Sequence, residues 1–165
     1  MLKPDIETAL NAQLNEEQTA AQEYLAMAAY FEERSLRGFA GFMRSQAEEE
    51  GQHAMRIFDH ICARGGSVRV GAIAAPTGQF ESARGVFQAA LSREQSNTRS
   101  IHDLYRLAGE SDDPATQIML HWFIEEQVEE ESWAAEALAL LEMAAENRSA
   151  LLMLDKRYGI AAKAE

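Results

Sequence analysis

Six side chains in this sequence of 165 residues have the types and spacing to do chemistry together: Glu17, Glu50, His53, Glu94, Gln127 and Glu130. Glu17 precedes Glu50 by 33 residues and His53 by 36, and Glu94 precedes Gln127 by 33 and Glu130 by 36. The whole set maps onto itself by a shift of 77, which also carries "EEEGQH" at 48–53 onto "EEQVEE" at 125–130. Each of the six falls where a helix should be apolar. The stripe through the second segment, for example, reads Phe39, Met43, Gln46, Glu50, His53, Ile57, His60. An ionised carboxylate inside a protein costs several kcal/mol unless something compensates it. No Lys or Arg occupies a stripe position at this level. Metal is the simplest counterion, since two divalent cations neutralise four carboxylates. Oxygen and imidazole donors suit iron or manganese better than a thiolate-loving ion. Taken singly, a stripe glutamate is commonly half-exposed at a bundle end, and a stripe histidine commonly hydrogen-bonded core. Six interruptions at matched heights argue against a merely satisfied core.

The elements that must position them are four long helices and a short one. Ala, Leu, Glu and Gln dominate the long segments, Pro is scarce (three), and no alternating β-branched run occurs. The first helix is expected over about Asp5–Arg34, with Leu10, Leu14, Glu17, Ala21, Tyr24, Ala28 and Phe31 on one face. The second runs from about Arg37 to Arg64 and stops at Gly65-Gly66. The third spans about Ser82–Glu110, its face being Phe87, Leu91, Glu94, Thr98, Ile101, Tyr105 and Ala108. Asp113 is an N-cap and Pro114 a first-turn residue for the fourth, which runs to about Asn147 and carries Leu120, Phe123, Gln127, Glu130, Ala134, Ala137 and Leu141 inward. A short amphipathic helix, Ser149–Tyr158, follows. Two short connections make antiparallel pairs. The middle connection, "GSVRVGAIAAPTGQF" with its flanks, has some seventeen residues. It can extend about 50 Å, more than the roughly 42 Å of a long helix. It can therefore cross the whole bundle and leave the second and third helices parallel, an architecture with one long crossover.

The net charge of -12 argues against nucleic acid as a partner and is compatible with attracting cations. It equally suits a surface that is merely kept in solution. Cys62 is the only cysteine, so no intrachain disulfide or cysteine metal knuckle can form. "MLKPDIETAL" lacks the apolar core of a secretory signal, and no apolar run is long enough for a membrane span. A cytoplasmic location is the expectation.

At the residues named above, the chain resembles the bacterial non-haem ferritins. The likeness runs from "MLKP" through Glu17, "EEEGQH", Glu94 and "WFIEEQVEEE" at 122–131 to "LDKRYG" at 154–159. The resemblance implies an all-α, ferritin-like four-helix bundle with a short fifth helix, one domain over 1–165. It implies an iron ion on Glu17, Glu50 and His53, with Glu50 bridging, and a second on Glu94 and Glu130 with Gln127 close by. Tyr24, one heptad after Glu17, matches the family's tyrosine beside the centre; plain core packing is its other reading. Glu49, Glu126 and Glu129 match a third iron site, and a solvated acidic face explains them almost as well.

Departures from neighbouring families sharpen this. The fourth helix carries Gln127-x-x-Glu130 where a bacterioferritin would carry Glu-x-x-His, and Gly51 stands where its haem-ligating methionine would fall, so no haem is expected. One cysteine cannot build the iron domain of a rubrerythrin, and mini-ferritins lack the terminal helix. The implied function is storage: Fe(II) is oxidised by dioxygen or peroxide and laid down as ferric mineral inside a shell of twenty-four copies. "SALLMLDKRYG" would then pack around a four-fold axis, or alternatively fold as a lid on its own bundle. Glu110, Asp112 and Asp113 are candidate pore acids, with capping as the competing role of Asp113. His60, His102 and His121 read better as surface or core residues than as ligands. The rival functions are a dinuclear iron or manganese oxidase or peroxidase of small oligomeric state, and a metal-buffering bundle without turnover.

Overall fold

The computed structural model describes residues 2–145 and 147–161. It holds five helices and, among the described residues, no strand: α1 (Pro4–Glu33), α2 (Arg37–Ala63), α3 (Ala83–Glu110), α4 (Pro114–Ala144) and α5 (Arg148–Ala161). Four begin and end close to the expected positions. The last is longer than the expected Ser149–Tyr158, because Gly159 is not a stop but a contact. A Cβ at Gly159 would lie 3.0 Å from the Gly38 Cα, and one at Gly38 would lie 1.7 Å from the Asp155 carbonyl oxygen. Only glycine lets the two helix backbones approach so closely.

Local chemistry sets the helix ends. After α2, the Gly65 N–H donates to the Cys62 carbonyl (3.0 Å) and the Gly66 N–H to that of Ile61 (2.9 Å), with Gly65 at φ +71°. This doubly bonded left-handed stop satisfies the last carbonyls of the helix. The same pattern closes α1 and α3 without glycine. Ser35 (φ 58°) and Asp112 (φ 51°) take the left-handed position, and the Leu36 and Asp113 N–H groups reach back to Phe31 and Ala108.

Helix α1 runs antiparallel to α2, and α3 to α4. Contacts between α1 and α3 pair Gln13 with Asn97 and Ser100, and Glu16 with Arg93, so their directions also oppose. Consequently α2 and α3 are parallel. The crossover that permits this climbs along α1. The Arg69 N–H donates to Asn11 Oδ1 (2.6 Å), Gly71 sits against the Asn15 amide, and Phe80 meets the Tyr30 ring edge-on at 5.5 Å.

Two apolar clusters fill the bundle. One, built on Phe31, Phe39, Phe87 and Met43, is closed by Leu151, Leu154 and Tyr158 of α5. The other holds Ile6, Leu10, Ile57, Ile61, Ile101 and Leu120. Between them lies a belt of buried polar residues. The expected stripes hold on α4 throughout and on α2 except at half-buried His60. On α1, Ala20 is buried in place of the expected Ala21. On α3 the inward line is Phe87, Ala90, Glu94, Asn97, Ile101, Leu104 and Ala108; Leu91, Thr98 and Tyr105 are half-exposed. The face is turned because α1 packs on the Asn97 side, a choice that helical periodicity leaves open.

Asp113 ties two helix ends together. It accepts from the Thr116 N–H (3.1 Å) as N-cap of α4 and from both terminal nitrogens of Arg64 (2.8 and 3.2 Å). Burial works to raise its pKa, but Arg64 and the Thr116 N–H outweigh this and hold it below the ordinary 3.8. Asp113→Ala should therefore lower stability by about 2 kcal/mol at neutral pH in chemical denaturation. The contribution of a depressed carboxyl is present above 3.8 and lost as pH falls through its lower folded value. The gap between the two proteins should close in strong acid; a gap independent of pH would contradict the ion-pair assignment.

Candidate metal centre

The polar belt is contributed by the four long helices. Glu17 is 0 % exposed, Glu50 and His53 2 %, Glu94 0 %, Gln127 3 % and Glu130 4 %. Glu17, Glu50 and His53 converge, each offering a ligand atom within 4.8 Å of the others. His53 Nδ1 lies 3.4 Å from Glu50 Oε2 and 3.8 Å from Glu17 Oε2. Among the described residues, neither His53 ring nitrogen and not Glu50 Oε2 has a hydrogen-bond partner. The His53 ring is instead held by aromatic edges, Trp122 at 5.2 Å and Phe123 at 5.8 Å. Buried polar atoms are ordinarily bonded, so donors left open toward one another fit a cation between them. These three residues could hold one metal ion.

Glu94 and Glu130 are fixed differently. The Tyr24 hydroxyl donates to Glu94, the Trp133 indole N–H donates to Glu130, and the Gln127 amide donates to the Glu94 carbonyl (3.1 Å), the Glu94 carboxylate (3.3 Å) and Thr98 Oγ1 (3.1 Å). Among the described residues these two carboxylates do not form a three-donor group at the spacing that joins Glu17, Glu50 and His53. A second such group is Glu49, His53 and Glu126. It contains two of the three acids expected at the third site. Glu129 is exposed and lies with them along a cleft of about 410 Å³ between α2 and α4, which Glu130 and Trp133 also line.

Sequence reasoning missed the amides that brace the acids. Gln13 Nε2 donates to Glu17 Oε1 (2.7 Å) and Asn97 Oδ1 (2.6 Å), while Asn97 Nδ2 reaches Glu17 Oε2 (3.3 Å) and Gln127 Oε1 (3.4 Å). Both lie one helical turn from a stripe acid, the signal that would have found them. Trp133, three residues after Glu130, was missed for the same reason. Of the remaining candidates, His60 meets Thr116 (3.0 Å), His121 stacks on Tyr105, and His102 is exposed.

Electrostatics divides the belt. Burial would raise the Glu17 pKa, but the adjoining His53 imidazole and Glu50 carboxyl, together with the hydrogen bond from Gln13, bring it below 4.5. Burial, then the Glu17 carboxylate, pushes Glu50 well up. For His53, burial opposes charge, yet the two flanking carboxylates raise it to about 11. Burial followed by Glu94 lifts Glu130 to about 8. Burial, then the charges of Glu94, Glu50 and Glu130, raises Tyr24 well above 10, which keeps its phenol a donor. A site that must hold four carboxyl groups against such costs is built for positive charge.

The chain as a whole is similar to known proteins. Residues 7–144 match the ferritin family, described as a ferritin-like domain. A bacterial non-heme ferritin of Staphylococcus aureus (strain USA300) is 39% identical over 159 residues, 96% of each chain. That of Staphylococcus haemolyticus (strain JCSC1435) is 44% identical over 132 residues, 80% of each. Among solved structures, an open-pore ferritin from the archaeon Archaeoglobus fulgidus superposes with a TM-score of 0.96 at 38% identity, covering 97% of this chain and 99% of the other.

Because the Glu130 carboxyl is held protonated in the folded state, the metal-free protein should lose stability as pH rises from the ordinary 4.5 to about 8, and the loss should be complete above that. Glu130→Gln keeps an acceptor for Trp133 and removes that titration. At pH 9 with a chelator present it should be more stable than the parent by about 1 kcal/mol, and gain less on adding zinc. Equal or lower stability of the variant at pH 9, read by calorimetry, would contradict the buried-charge account.

Proposed function

The chain belongs to the ferritin family, and from that premise we propose that it stores iron, oxidising Fe(II) at a dinuclear centre inside its own bundle. The observation that carries this reading is the set of buried donors Glu17, Glu50 and His53, open toward one another with no hydrogen bonds to occupy the His53 nitrogens. In the proposal, Glu17, Glu50 and His53 bind one Fe(II), Glu94 and Glu130 bind a second, and Glu50 bridges. Gln127 holds Glu94 in place. Tyr24, with its proton kept by burial, fixes the other oxygen of the Glu94 carboxylate.

Each Fe(II) gives up one electron. A pair thus reduces dioxygen to the level of peroxide, or one peroxide and two protons to two waters. The carboxylates favour the more highly charged ferric product, and the flanking apolar clusters keep bulk water out. The acid-lined cleft offers product a route toward Glu49, Glu126 and Glu129, the proposed third site.

Storage further requires a container. A shell of twenty-four copies in the cytoplasm, each a single domain over 1–165, is the arrangement we propose. Exposed Leu152, Met153 and Ile160 on α5 support it, since an isolated bundle would leave these apolar side chains in water. Among the described residues no helix is long and apolar enough to cross a membrane.

Anaerobic loading with Fe(II) followed by air tests the chemistry. The parent should develop ferric absorbance faster than buffer, and Glu50→Ala with His53→Ala should remove most of that excess; an unchanged rate in the double variant would reject these residues. Size-exclusion chromatography tests the container independently. The expected particle is shell-sized, and a dimer-sized peak under loading conditions would defeat the storage reading while leaving oxidation intact.

A further inference from the structure

Helix α5 is locked to the start of α2 by two independent contacts. The N-cap residue of α2, Leu36, offers no side-chain cap; instead the Phe39 N–H donates to Asp155 Oδ1 at 2.8 Å, a carboxylate placed on the positive end of the helix. The Gly38–Gly159 approach leaves no room for sliding. So held, Tyr158 enters the upper aromatic cluster and meets Phe42 edge-on at 4.9 Å. Phe42 in turn meets Trp133 edge-on at 4.9 Å, and the Trp133 indole N–H donates to Glu130. The ring contacts and the final hydrogen bond are both directional, so a displacement of Tyr158 reaches the Glu130 carboxylate. Among the described residues, no run of ring contacts joins α5 to Glu17, Glu50 or His53, whose ring rests on Trp122 and Phe123.

From this run of contacts we infer that Tyr158 is a positioning residue: docked α5, through Phe42 and Trp133, sets Glu130 and thereby the affinity of the second metal position only. The inference rests on the reading that Glu94 and Glu130 bind a metal ion. Ring position is what matters, not the Tyr158 hydroxyl.

The test is an anaerobic Co(II) titration of the assembled protein, followed by visible absorbance against a competing chelator. Glu94→Ala serves to identify the second equivalent. Tyr158→Ala should weaken that equivalent about tenfold, the size of effect expected of outer-shell support, and leave the first unchanged. Tyr158→Phe should restore it. Trp133→Phe should weaken it similarly, and combining it with Tyr158→Ala should add little, because both act on one path. If Tyr158→Ala fails to fold, Tyr158→Leu keeps the apolar volume without the ring and should weaken the same equivalent. Should the alanine or leucine variant bind both equivalents as the parent does, or lose both alike, the inference is overturned. If the parent takes up fewer than two equivalents, or Glu94→Ala titrates like the parent, the dinuclear reading itself has failed.

Discussion

Everything in this bundle is arranged around the burial of carboxylates at mid-height. Glu17, Glu50, Glu94 and Glu130 are buried at positions where an apolar side chain would carry no desolvation cost. Replacing such groups by well-packed hydrocarbon is commonly neutral or stabilising. The fold therefore has to recover that cost elsewhere. It does so with two apolar clusters that sandwich the belt, one aliphatic and one aromatic. It also binds the acids with amides, a phenol and an indole, and among the described residues Glu50 Oε2 is the buried oxygen of these four acids left without a hydrogen bond.

The internal repeat makes the two halves of the centre alike in position and unlike in chemistry. The shift of 77 replaces His53 by Glu130 and Glu50 by Gln127. In the first half, an imidazole lies between two carboxylates that raise its pKa to about 11, and its ring nitrogens carry no hydrogen bond among the described residues. In the second half, Gln127 turns its amide into a brace for Glu94, and each acid is anchored to an aromatic donor. In the proposed dinuclear centre the two positions are therefore unequal, one pre-shaped by charge and the other by hydrogen bonds that an incoming ion would share or displace.

In the proposed centre, the second position draws its support from far along the chain. The aromatic cluster above it is completed only when α5 packs on α2, 116 residues away at the Phe39–Asp155 hydrogen bond. The exposed face of the same helix carries Leu152, Met153 and Ile160. One short element thus faces the interior chemistry on one side and, in the proposed shell, neighbouring copies on the other.

How much of this was legible beforehand depends on whether a feature is local. Helix positions, the Gly65-Gly66 stop, the Asp113 cap and the six stripe residues follow from periodicity and from spacing along the chain, and they recur in the structure. The crossover followed from length alone, because a link long enough to span the bundle lets the second and third helices run parallel. What remained open was rotational and long-range. Helical periodicity cannot say which flank of α3 meets α1, so Asn97 and Gln13 were overlooked while Thr98 and Tyr105 were placed too far inward. Nor can it show that Gly38 and Gly159 meet, or that Asp155 caps a helix begun 118 positions earlier at Arg37. Residue type and spacing determined which groups go to the centre, since those are properties of single helices. Tertiary packing decided what braces each group, since hydrogen bonds between helices depend on the angles at which separate cylinders settle against one another.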